Sequence, residues 1–183
     1  MKQRFNELLR STGVKGIEEL ITHLEQIGFY ESPASTSLAR HACFDGGLLK
    51  HSLNVAEFAL DLFNHTDVRE KLTSKDIIIA ALLHDVGKAG SFGLKYYNAN
   101  VLKSGKVSSA KPYETNKELS GVQHQDASVL IVSKFIDLSK NQYIAIKYHN
   151  GLYTADGRDI KGNETPLYLL IHFADMWASR VLE

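Results

Sequence analysis

Four ionisable residues fall where a helical reading of this sequence puts apolar faces, and their chemistry sets the problem: His51, His84, Asp85 and Asp175. His51 shares a face with Val55, Phe58 and Leu62, so its imidazole should point inward. His84-Asp85 closes the most hydrophobic stretch of the chain. Asp175 lines up with Ile171, Ala178 and Leu182, with no Lys or Arg one turn away, and therefore needs a cation from elsewhere. A single inward histidine is more often a hydrogen-bonded core residue, and one His-Asp pair carries little information. The combination is different. Imidazoles and carboxylates presented inward by three helices destabilise one another unless a divalent ion takes up their donor atoms. A helical-bundle core is a common place for such a site.

The elements that would carry these residues are helical. Only three prolines occur, and between them apolar residues recur mostly at helical spacing, so the fold class is all-α. The spacing predicts helices over 16–29, 48–63, 75–86, 121–137, 141–148 and 167–182. Thr73 or Ser74 can cap the third of these, and Thr165-Pro166 the last, with proline where its missing N–H costs nothing. Periodicity disappears from Ser91 to Ser120, where Gly93, Gly105 and the Ser104-Gly105-Lys106 turn signal suggest a hairpin or long excursion. Asn150 to Glu164 reads as a polar loop.

The 183 residues fit one domain, with residues 1–33 as a helical extension packed on the rest. Lys+Arg and Asp+Glu are each 21, so no global positive field exists to hold a long nucleic acid nonspecifically. The lone Cys43 excludes an intramolecular disulfide framework and an all-cysteine zinc cage. No apolar run is long enough to span a bilayer or to form a signal peptide, which gives the expectation of a cytoplasmic protein without a membrane partner.

The order His51, His84-Asp85, Asp175 resembles the metal-binding H…HD…D signature of the HD-domain superfamily of metal-dependent phosphohydrolases. Gly46-Gly47-Leu48-Leu49-Lys50-His51-Ser52 is similar to the family's GGLLEHS-type entry to the first ligand helix. His84-Asp85-Val86-Gly87-Lys88 is similar to its HDIGK segment, and His172-Phe173-Ala174-Asp175 to its closing helix. The likeness runs from Ala34 to Leu182 and is greatest to the HD domain of certain bacterial 3′–5′ exoribonucleases. Their oligonucleotide-binding domain has no counterpart here, so an RNA substrate is not carried over. The resemblance implies a helical bundle holding one or two divalent ions (Mn, Fe, Ni, Co, Mg or Zn) on His51, His84, Asp85 and Asp175, with His124 and His149 as ligands of a second ion and Asp85 between them.

The resemblance further implies hydrolysis of a phosphoester by metal-activated water, with Asp85 and Lys88 catalytic. Lys88 would neutralise phosphate charge, although a solvated lysine at a helix end is the plainer reading. His41, Tyr153, Arg158 and Lys161 are candidates for contact with a nucleotide or other small phosphorylated substrate, a short oligonucleotide included. The lysines and tyrosines of the 91–120 excursion could bind substrate or simply face water. Two other functions fit the same residues: a di-iron oxygenase of the HD type, and a metal-stabilised binding module without catalysis.

Overall fold

The computed structural model describes residues 1–67 and 71–183. Its main elements are eight α-helices: α1 (Lys2–Ser11), α2 (Ile17–Gln26), α3 (Gly47–His65), α4 (Ser74–Leu83), α5 (His124–Ser133), α6 (Lys140–Tyr148), the single turn α7 (Gly157–Ile160) and α8 (Pro166–Trp177). α4 is the axis of the bundle. Ile77, Ile79, Leu82 and Leu83 are fully buried, because α1, α3, α6 and α8 all pack around it. No helix among the described residues is long and apolar enough to cross a membrane.

Helix starts follow local chemistry. Thr73 caps α4 through a reciprocal box with Asp76, and Ser139 caps α6 in the same way with Gln142. The two boxes are joined, since Gln142 Nε2 donates to Asp76 Oδ1 at 3.0 Å. Thr165 accepts from the Tyr168 amide at 3.2 Å, with Pro166 in the first turn of α8. α1 is an element that apolar spacing alone left unassigned; Phe5, Leu8 and Leu9 bury its inner face, and Phe5 packs on Phe29 at 5.0 Å between ring centres.

Several expected boundaries move for identifiable reasons. The expected helix over 75–86 ends at Leu83, and Val86–Lys88 forms a separate 3₁₀ turn because the backbone leaves the helical region at Asp85. The expected 121–137 helix is confined to His124–Ser133. The polar 150–164 segment contains a 3₁₀ turn (Gly151–Tyr153) and α7. α8 stops at Trp177, and Ala178–Leu182 continues as a wider π turn. Leu182, expected on the buried stripe with Asp175, is therefore 49% exposed.

The 91–120 excursion is two short antiparallel ribbons, β1 (Gly90–Ser91) with β2 (Leu94–Lys95) and β3 (Tyr97–Ala99) with β4 (Tyr113–Thr115). It braces the connection between α2 and α3. The Leu38 amide donates to Ala110 O at 3.1 Å, Tyr97 Oη to Ala34 O at 3.3 Å, and Tyr113 Oη to Asp45 Oδ1 at 2.6 Å.

Because Leu82 is surrounded on every side, Leu82→Ala should cost about 2–5 kcal/mol. Urea denaturation followed by far-ultraviolet circular dichroism measures that loss, which an exposed leucine such as Leu152 would not show.

Candidate metal centre

α3 delivers His51, the end of α4 delivers His84 and Asp85, α5 opens on His124, α6 ends on His149, and α8 brings Asp175. All six expected ligand residues converge. His51 Nε2 lies 3.1 Å from Asp175 Oδ1, 3.3 Å from His84 Nε2 and 3.6 Å from Asp85 Oδ2. On the other side of the same carboxylate, Asp85 Oδ1 lies 3.3 Å from both His124 Nε2 and His149 Nε2, which are themselves 3.3 Å apart. One oxygen of Asp85 thus faces one histidine pair and the second oxygen faces the other.

Hydrogen bonds at the far side of the rings decide what the near side can offer. His84 Nδ1 and His149 Nδ1 contact the carbonyls of Ala81 and Ile146, both at 2.8 Å. A carbonyl only accepts, so Nδ1 carries the hydrogen and Nε2 of the neutral ring presents a lone pair. Those lone pairs face carboxylate oxygens. Asp85 Oδ1 is buried and has no hydrogen-bond donor among the described residues. Three donors 3.3 Å apart lie about 1.9 Å from their common centre, close to the bond length a divalent ion makes with nitrogen or oxygen. The residues therefore fit one divalent ion on His51, His84, Asp85 and Asp175, and another on Asp85, His124 and His149.

Surrounding groups hold this set in place. Glu183 Oε1 accepts from His51 Nδ1 at 3.2 Å and from Asn54 Nδ2 at 2.9 Å, an orientation that leaves His51 Nε2 for the centre. In the metal-free chain burial disfavours the His51 charge, but Asp175 and Glu183 outweigh it and push its pKa up to about 9. Burial raises the Asp85 carboxyl, yet Lys88 and the histidines hold it well below the usual range. Lys88 Nζ sits 2.6 Å from Asp85 Oδ2. Burial lowers His124 to about 4, so it is neutral and available as a donor near pH 7. Asn150 brings Nδ2 within 3.2 Å of His124 Nε2 and 3.0 Å of His149 Nε2.

A cavity of about 920 Å³ opens onto the centre. Of the four residues expected at substrate, His41 and Tyr153 line it; Arg158 and Lys161 lie exposed on and beside α7 and do not. The His41 ring packs on His51 at 4.8 Å. Lys88 also lines the cavity, which joins it to both the centre and the substrate space. His172 reaches the wall too, donating from Nδ1 to His149 O at 2.7 Å. His23 and His65 lie away from it, against Phe135 and beside Asp61. Sequence reasoning missed Glu183, Asn150, Arg40 and Arg180. The first had a visible signal, since Asp175, Ser179 and Glu183 repeat at every fourth residue.

A family model of the HD domain matches residues 48–175, from the start of α3 to the last carboxylate of the centre. The chain belongs to the HD-domain family. No curated protein and no solved structure matches it significantly. The HD domain places this chain in a superfamily of metal-dependent phosphohydrolases, whose members bind divalent ions.

The two halves meet at Gly87. A Cβ there would lie 2.1 Å from His124 O and 2.8 Å from the Ser128 amide, while Ser128 Oγ accepts from the Gly87 amide at 2.9 Å. Gly87→Ala should therefore push α5 off the His84-Asp85 turn. The expected outcome, read by titration with Mn²⁺ and elemental analysis, is loss of about one equivalent of metal, with the His51–His84–Asp85–Asp175 half retained.

Proposed function

We propose that this HD domain is a phosphohydrolase that cleaves a phosphoester bond in a nucleotide, a short oligonucleotide or another small phosphorylated molecule. The observation that carries the reading is the shared Asp85 carboxylate, flanked by two histidine pairs in a centre that a cavity of small-molecule size reaches at Lys88, His149 and Asp175. Mn, Fe, Ni, Co, Mg and Zn all suit the nitrogen and oxygen donors. When bound, such ions lower the pKa of water and polarise a phosphoryl oxygen.

The chain's own groups do the rest. Asp85 fixes the spacing between the two halves of the centre, because its two oxygens are rigidly tied through one carbon. Lys88 spends one of its three N–H donors on Asp85 Oδ2 and directs its charge at the cavity, where it stabilises negative charge gathering on phosphoryl oxygens. His51 is held by Glu183 and cannot swing into the cavity. The His41 ring covers His51 and screens the centre from bulk water on that side. Soluble small molecules of the cytoplasm are the substrates this arrangement suits.

The protein loaded with Mn²⁺ is expected to release phosphate or nitrophenol from a panel of nucleotides, aryl monophosphates and aryl phosphodiesters, equally with and without oxygen. Asp85→Ala should lose bound metal and turnover together, by about 100-fold or more in kcat. Full activity in that variant would refute the assignment, and turnover that needs oxygen and Fe²⁺ would favour the oxygenase alternative.

A further inference from the structure

The walls of the cavity carry more positive charge than a single reacting phosphate requires. Among its charged lining residues, Asp175 and Glu183 are both engaged by His51, at 3.1 and 3.2 Å, and Lys88 is engaged by Asp85 at 2.6 Å. Arg40 and Arg180 line the same space, and neither has a side-chain hydrogen bond or ion pair among the described residues. An arginine fork left unpaired beside a cavity is suited to bidentate capture of phosphate.

Both arginines stand on braced backbone. Arg40 lies in a segment where Ser35 Oγ donates to His41 O at 2.7 Å, the Arg40 amide to Ser37 O at 2.9 Å, and the Ala34 amide to Ala42 O at 3.1 Å. The excursion pins this segment from outside through Ala110. Arg180 lies in the π turn after α8 and lines the cavity together with Met176, four residues earlier. At the rim, Tyr153 is 72% exposed and offers an aromatic face.

Volume points the same way as charge. About 920 Å³ is at the upper end of small-molecule sites, far more than one phosphoryl group fills. We propose that the substrate is a nucleotide carrying a second, non-reacting phosphate, which Arg40 and Arg180 hold while the scissile phosphate lies at the Asp85 centre and the base lies against Tyr153. This inference rests on the phosphohydrolase reading and narrows its substrate class.

The test compares adenosine 3′,5′-bisphosphate with adenosine 5′-monophosphate and adenosine 3′-monophosphate on the Mn²⁺-loaded protein. Calorimetric Kd is read for each nucleotide that is not turned over, and kcat/KM for each that is. The wild type should favour the bisphosphate over both monophosphates by about tenfold or more. The double variant Arg40→Gln/Arg180→Gln should lose that preference, and each single variant part of it. Both side chains are exposed, so circular dichroism and metal content should match the wild type; the single variants decide the matter if the double variant does not fold. Equal treatment of the three nucleotides by the wild type, or a preference that survives removal of both arginines, would overturn the inference. A preference in binding with no phosphate released from any compound would sink the hydrolytic reading alone, whereas phosphate release without preference would sink this one alone.

Discussion

A buried carboxylate faced by imidazole lone pairs is the constraint on which the structure turns. Asp85 is almost fully buried, and a charge in that position must be compensated or the fold loses several kcal/mol. The Ala81 and Ile146 carbonyls hold a hydrogen on the outer nitrogen of His84 and of His149, so the inner Nε2 of each neutral ring turns a lone pair toward Asp85. Lys88 supplies one compensating charge at Oδ2, and Oδ1 is left facing two ring nitrogens. A positive species between them turns mutual repulsion into attraction. The donor set, the spacing and the burial all answer to that single requirement.

Helix direction reinforces it. His84 is the C-terminal capping residue of α4 and His149 that of α6. The negative ends of two helix dipoles therefore meet at the centre and favour a cation there before any side chain is considered. The apolar packing around α4 excludes water from the lower side, while the cavity admits it from the upper side. Recognition is built on different elements: an irregular segment ahead of α3 and a π turn after α8. Ligands on regular helices and cations on irregular chain divide the labour between a rigid centre and a surrounding wall.

That division also explains what the sequence made legible. Periodic faces exposed His51 and Asp175 as charges among apolar neighbours, and capping residues located the starts of α4 and α8. The pairing of His124 with His149 rested on likeness to a family, since neither stands out by spacing. Arg40 left no signal because it sits in chain with no repeating pattern, placed by hydrogen bonds to residues some seventy positions away. The π turn inverted one inference outright: Leu182 faces solvent and Glu183 faces His51, since a wider turn rotates every later side chain. Arg158 and Lys161 were attractive by proximity to His149 in sequence, but α7 carries them outward.

The clasp between Asp76 and Gln142 acquires meaning at this distance. α4 and α6 start at that shared contact and finish at His84 and His149, whose rings meet at 4.8 Å, so the two helices run side by side in fixed register. Each residue of a helix advances about 1.5 Å, whereas ligand positions tolerate only a few tenths of an ångström. A slip of one residue at the far end would thus carry a ring out of coordinating range. The clasp works as a length standard for the bundle: insertions within either helix are intolerable, while the ribbon tip near Gly105 is free to lengthen.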